Sequence, residues 1–284
     1  MKIGIIIPIF RLNLQKTEEI LKRIETKKFN ILKIIIFVHK FEKSELKKIK
    51  NLRIKNLKVF IEKERVGKIG VLKKSIKLLK NCELIVVING DIRIRERSLK
   101  NLLLPFMKCK EVGSTTGRGI LEGKYSCFIS FFNELVCKLH HEASLKKTKL
   151  SQFYSFRQIP FKIPFDIVSD EAFIEAMMKK FKLKNIYAKD AIFYYSSPNS
   201  ISKLFEQRRR NFIGNLQVKS IYHYNVSTIL PLNKFTIKTF LTFIFKNPIF
   251  MFFSLFLEML ARSKAIFDYF VLKEKPYKWK IVTD

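Results

Sequence analysis

Four short stretches of the chain carry residue types that do chemistry. In "ELIVVINGDIRI" an unbroken apolar run, residues 84–88, leads to Asn89, Gly90 and Asp91. An amide and a carboxylate at the end of a buried strand stand where α/β sheets bind ligands, beyond the carboxyl ends of the strands. Upstream, "RVGKIGVLKKSI" sets Arg65, Gly67 and Lys68 in a loop. A glycine flanked by two cations suits a diphosphate, because the backbone can approach and the charge is offset. Downstream, Asp170 and Glu171 open "DEAFIEAMMKK". Carboxylates there either cap a helix and complement its dipole or take a proton from a hydroxyl. Finally, "QRRRNFIGN" carries Gln207 and three arginines, 208–210, which can pair bidentately with phosphate. Each has an ordinary explanation when taken alone: a turn after a strand, a helix cap, a solvated basic helix.

The elements around them alternate. "KIGIIIPIF", "LKIIIFVH", "LKVFIE" and "ELIVVI" read as strands, and the first, second and fourth are apolar enough to be covered on both faces. Helical segments are expected between them, over residues 17–27, 44–50 and 67–81. This order predicts a parallel α/β sheet. The middle of the chain is mixed. "KEVGSTTGRG", residues 110–119, reads as a glycine-rich loop. Residues 126–147 read as a helix and "QFYSFR" as a short strand, and a helix is expected to begin near Asp170. Residues 200–218 form a basic helix.

In this order the four stretches resemble family 2 glycosyltransferases of the GT-A fold. The likeness is nearest to the membrane-associated branch of chitin, cellulose, hyaluronan and poly-N-acetylglucosamine synthases, and it covers about residues 2–218. The resemblance implies an inverting sugar transfer from a UDP- or GDP-sugar. Asn89-Gly90-Asp91 stands where the family has Asp-x-Asp, which assigns Asp91 to a divalent cation, Mn or Mg; such ions prefer hard oxygen ligands. Asn89 replaces the first aspartate and would face the nucleoside. Asp170-Glu171 matches the family's acidic pair, whose second member is the general base, so Glu171 is expected in that role; a shift by one would give Asp170. Asp170 could instead cap the helix. Gln207 and Arg210 match Gln-x-x-Arg-Trp, with Asn211 in place of tryptophan, which argues against processive synthesis. The implied donor-binding set is Pro8, Phe10, His39, Arg65, Gly67, Lys68, Asn89, Gly90, Asp91, Gln207, Arg209 and Arg210. His39 stands near the family's uracil-binding aspartate. Phe156 and Arg157 are the acceptor-side candidates.

Of 284 residues, 56 are Lys or Arg against 24 Asp or Glu, a formal charge of +32. Such an excess suits an anionic partner: nucleic acid, an acidic membrane surface or phosphorylated substrates. No basic-aromatic nucleic-acid module is present and the cations are spread along the chain, so a nucleic-acid protein is the rival from another class and no nucleic-acid partner is expected. The four cysteines form no Cys-x-x-Cys pair, and reduced thiols are expected. "MKIGIIIPIF" is too short for a signal peptide.

Residues 1–222 are therefore expected as the GT-A domain and 223–284 as a hydrophobic helical region. Residues 239–257 approach membrane-spanning length, but Lys246 and Pro248 interrupt them. Two shorter helices at a membrane interface are the expectation, on the cytoplasmic face, with a cap on the protein's own core or a homodimer contact as alternatives. The acceptor expected is a hydroxyl on a lipid-linked or glycan substrate. A polyprenyl phosphate acceptor, which needs no strong base, is the rival enzyme reading.

Overall fold

The computed structural model describes residues 1–24, 29–123, 127–226 and 234–276. Its first part is β1 (Ile3–Arg11), α1 (Leu14–Arg23), β2 (Ile31–Lys40), α2 (Lys43–Asn51), β3 (Leu57–Ile61), α3 (Gly67–Leu78) and β4 (Leu84–Ile88). β1 pairs in parallel with β2 and β4, and β2 with β3. Successive side chains of a strand point to opposite faces. Ile3, Ile5, Ile7 and Ile9 accordingly join one core with Ile20 and Leu46, while Ile6 joins another with Leu72 and Phe173. Both faces are covered, which is why these strands read as continuous apolar runs. The helix expected over 17–27 is α1; positions 25–27 lie outside the described residues.

The second part is β5 (Ile92–Ile94), α4 (Ser98–Lys108), β6 (Val112–Glu122), α5 (Cys127–Lys146), β7 (Phe153–Arg157), α6 (Asp170–Lys180), β8 (Lys184–Ser196) and α7 (Ile201–Tyr222). The eight strands form one sheet in the order β3-β2-β1-β4-β7-β6-β8-β5. It is mixed: β7 runs antiparallel to β4 and β6, and β5 antiparallel to β8.

β6 departs from expectation, because residues 110–119 are mostly strand and not loop. Its three glycines signal turns in sequence, yet none has a positive φ. They supply clearance instead. A Cβ at Gly117 would stand 2.3 Å from the Ala191 carbonyl oxygen, and one at Gly113 2.5 Å from Leu183. The hydroxyls between them are satisfied: Thr115 donates to the Leu102 carbonyl at 2.8 Å and Ser114 to Asn185 Oδ1 at 2.6 Å.

The tail forms α8 (Lys234–Lys246) and α9 (Pro248–Phe270), broken where Lys246 and Pro248 predicted. Asn247 caps α9 by accepting the Phe250 N–H. One face of the tail docks on the protein: Phe243 and Met251 pack with Phe131 and Leu135, and Ala265 with Val168 and Ile213. The other face is apolar and exposed, with Phe245 84% and Phe252 64% accessible. No helix among the described residues is long and apolar enough to cross a membrane.

Candidate active site

A cavity of about 990 Å³ lies at the carboxyl ends of β1, β2 and β4. Pro8, Phe10, His39, Arg65, Gly67, Lys68, Asn89, Gly90 and Asp91 all line it. They meet because the strands run parallel and in register, with Pro8 beside Phe37 and Ile9 beside Val38, so equivalent ends share one edge. Gly90 lets the turn after β4 lie against β1: its N–H donates to the Pro8 carbonyl at 3.2 Å, and a Cβ would meet Ile9 Cγ1 at 2.6 Å. Gly67 opens α3 at φ 72°, a conformation glycine adopts without strain. The Arg65 guanidinium lies 4.5 Å from the Phe10 ring centroid, a cation–π distance. His39 Nδ1–H donates to the Glu62 carbonyl at 3.2 Å, which leaves Nε2 as the unbound ring nitrogen. Glu62, Asn13 and Lys16 also line the cavity and escaped sequence reading. Glu62 had a signal, since it directly follows β3 just as Asn89 follows β4.

Two hard oxygen donors share the turn after β4. Asn89 Oδ1 is buried and has no hydrogen-bond partner among the described residues, and the Asp91 side chain is exposed on the cavity wall. As hard oxygen donors they would suit a divalent cation such as Mn2+ or Mg2+. Among the described residues no three His, Cys, Asp or Glu gather as a closed metal cage.

A second cavity, about 790 Å³, lies among α5, α6, α7 and α9. Gln152 and Tyr195 line both cavities, so the two are adjacent. The acid pair stands between them. Ser169, not Asp170, caps α6, its hydroxyl accepting the Ala172 N–H. This frees Asp170 and Glu171 for a different partner: Lys68 Nζ lies 3.0 Å from Asp170 Oδ2 and 2.6 Å from Glu171 Oε1. Lys68 lines the first cavity and Glu171 the second. The Tyr154 hydroxyl donates to Asp170 Oδ2 at 2.5 Å.

The two acids differ in protonation. Burial, and next the Glu171 charge, push Asp170 up to about 7. Burial also acts upward on Glu171, but the Lys68 ammonium and hydrogen bonds from Asp170 and Lys68 overcome it and hold this carboxyl below its ordinary value. Two like charges in contact cannot both ionise easily, so Glu171 is the acid that ionises first and Asp170 the one that holds its proton to higher pH. Arg210 is nearly buried, and burial followed by Arg65 pulls it down to about 10, with Glu171 opposing.

Several expected positions differ. Lys68, expected on the diphosphate alone, is also the clamp on the acid pair. Gln207 and Arg210 line the second cavity and not the first. Arg209 lies on another face of α7, at 100° per residue from its neighbours, and binds Asp268, Glu206 and Glu274 of the tail and helix. It is not a donor-site residue in this structure. Phe156 is fully buried in the core, and Arg157 Nε donates to the Val112 carbonyl at 2.7 Å. β7 runs antiparallel to β4 and pairs Arg157 with Leu84, at the far end of the sheet. Tyr154, two residues before Phe156 on the same face, is the residue that reaches the acids. Its direction along the sheet has no signal in the sequence.

No protein-family model and no curated protein matches this sequence. Solved structures do match the fold. A mannosyltransferase from Pyrobaculum calidifontis in complex with GDP-Man and Mn2+ aligns at TM-score 0.57 and 14% identity, over 97% of this chain and 81% of its own. Glucosyl-3-phosphoglycerate synthase from Mycobacterium tuberculosis, in complex with Mn2+, uridine diphosphate and phosphoglyceric acid, aligns at TM-score 0.52 and 13% identity, over 76% and 78%. The same synthase with Mg2+ and uridine diphosphate aligns at 0.51 and 13%, over 78% and 79%. The fold is that of GT-A nucleotide-sugar glycosyltransferases. At these identities the likeness carries the architecture, not the substrates or the branch.

Proposed function

We propose that this chain is an inverting glycosyltransferase that moves a sugar from a UDP- or GDP-sugar in the first cavity to an acceptor hydroxyl in the second. The observation that carries the reading is the contact between the cavities: Lys68, on the donor side, holds Glu171, on the acceptor side, at 2.6 Å.

Arg65 and Lys68 offset the charge of the donor diphosphate, and Arg210 adds to that field from beside Glu171. The residues suited to a cation are Asp91 and Asn89. When bound, Mn2+ or Mg2+ supplies Lewis-acid stabilisation of the leaving diphosphate. Glu171, kept ionised, takes the acceptor hydroxyl proton as that oxygen bonds to the anomeric carbon and the carbon–diphosphate bond breaks. Attack from the side opposite the leaving group inverts the configuration. Lys68 and the Tyr154 hydroxyl both hold Asp170 Oδ2, which fixes the second acid beside the base. An ammonium drawn toward an arriving diphosphate releases Glu171 as base, so donor binding and base activation use one side chain.

The exposed apolar face of α8 and α9, with a net charge of +32, supports docking on an anionic membrane surface at its cytoplasmic face. A lipid-linked or glycan acceptor suits that placement. The test is a panel of nucleotide sugars with Mn2+, run on wild type and E171Q. One donor should be turned over by wild type. E171Q should lose about a thousandfold or more, the upper range for a general base, while still binding the nucleotide. Transfer by E171Q at wild-type rate would overturn the hydroxyl acceptor in favour of a phosphate nucleophile.

A further inference from the structure

Resting on the reading of the second cavity as the acceptor's, we infer that Lys149, with Arg208 and Arg262, forms a seat for the phosphate of a lipid-borne acceptor. The cavity holds more cations than its carboxylates neutralise. Glu258 is shared: Arg208 Nε lies 2.7 Å from one of its oxygens, and Arg262 Nη2 2.7 Å from the other. Glu171 is engaged by Lys68. Glu175 accepts the Leu150 N–H at 2.5 Å and the Tyr224 hydroxyl at 3.3 Å. Burial pushes it up to about 8, and the Leu150 N–H and the Lys149 charge act against that rise. Lys149 lines the same cavity and makes no hydrogen bond or ion pair among the described residues. Its ammonium is pulled down by burial, and next by Arg208. Glu175 and Glu258 act the other way from a distance, but four cations, Lys149, Arg208, Arg210 and Arg262, line the cavity against three carboxylates, Glu171, Glu175 and Glu258. A cation without a direct ion pair in an enclosed, partly apolar space is costly unless an anion joins it.

The rest of the wall and its opening identify the source of that anion. Leu135, Val136, Leu139 and Val226 give the cavity an apolar interior. Leu255, Met259 and Ile266 of α9 line it too, yet are 51%, 56% and 46% exposed. They place the cavity's edge on the exposed apolar helix that carries Phe252 and Phe256. A soluble phosphate has no use for such an exit. A hydrocarbon chain does, since it can leave along this face into a bilayer while its phosphate stays on Lys149.

The full-length protein is titrated with dodecyl phosphate below its micellar concentration, with dodecyl maltoside as the neutral amphiphile and inorganic phosphate as the free anion. Dodecyl phosphate should bind saturably and at least tenfold tighter than either. K149M should weaken it at least tenfold, K149R should retain most of it, and both variants should bind UDP or GDP with Mn2+ as wild type does. Equal binding of dodecyl maltoside, or an undiminished K149M, overturns the phosphate seat. Inorganic phosphate binding as tightly as dodecyl phosphate overturns the lipid source. Because the readout uses no sugar donor, a chain that binds dodecyl phosphate in this way but no nucleotide would sink the transferase and leave the seat standing.

Discussion

The two cavities are built by different means. The first is made of strand ends: β1, β2 and β4 run parallel in register, and the loop leaving each of them lands on one edge. The second is made of helices and a loop far apart in the chain, with Lys149 before β7, Glu171 on α6, Arg210 on α7 and Met259 on α9. The first cavity therefore depends on local order and sheet pairing. The second depends on the tail docking against α5 and α7. The difference teaches that the proposed transfer would couple a site any such sheet would build to one that this chain assembles only when its last helices are in place.

The largest effect expected outside the acid pair comes from Asp91. D91A should lower transfer by about a hundredfold or more, as loss of a metal-held charge at a leaving group does, and should abolish the Mn2+ dependence of UDP or GDP binding seen in calorimetry. It should leave dodecyl phosphate binding unchanged. If both ligands weaken together, the cavities are not separable.

An intermediate effect concerns pH. Asp170 is pushed up to about 7 from an ordinary 3.8, so the folded protein holds a proton that the unfolded chain has released at pH 5. That contribution to stability is fully present below the unfolded value and fades as pH climbs through 7. D170N cannot titrate. The stability of wild type relative to D170N, from urea midpoints, should fall between pH 5 and 8 by on the order of 1 kcal/mol or more. A difference flat across that window would show that Asp170 is ionised throughout.

The smallest catalytic effect is expected at Arg209. R209Q removes its contacts with Asp268 and Glu274, so the melting temperature should drop by a few degrees. Transfer at a temperature where the variant is folded should stay within about twofold of wild type. A large loss of donor affinity there would return Arg209 to the donor site.

Much of the first cavity's lining was legible in the sequence. Asn89-Gly90-Asp91 after an apolar run, and a glycine with two cations ahead of a helix, are local patterns, and parallel pairing brings them together without further information. Glu62 was missed although its place after β3 pointed the same way. β6 was misread because glycine serves both turns and tight packing, and only the neighbours at Ala191 and Leu183 tell them apart. Phe156 and Arg157 were placed at the wrong end of a correctly identified strand, because a strand's own residues do not state its direction in a sheet.

Composition and periodicity determined the alternating elements and the broken tail, while Asp170-Glu171 stood out only through the resemblance. Only the tertiary structure decided that Lys68 joins the two acids and that Arg210 faces inward while Arg209 faces the tail. The reason is physical: hydrogen bonds and ion pairs between residues about a hundred positions apart are set by how sheets and helices pack, and nothing in the spacing of either partner encodes the other.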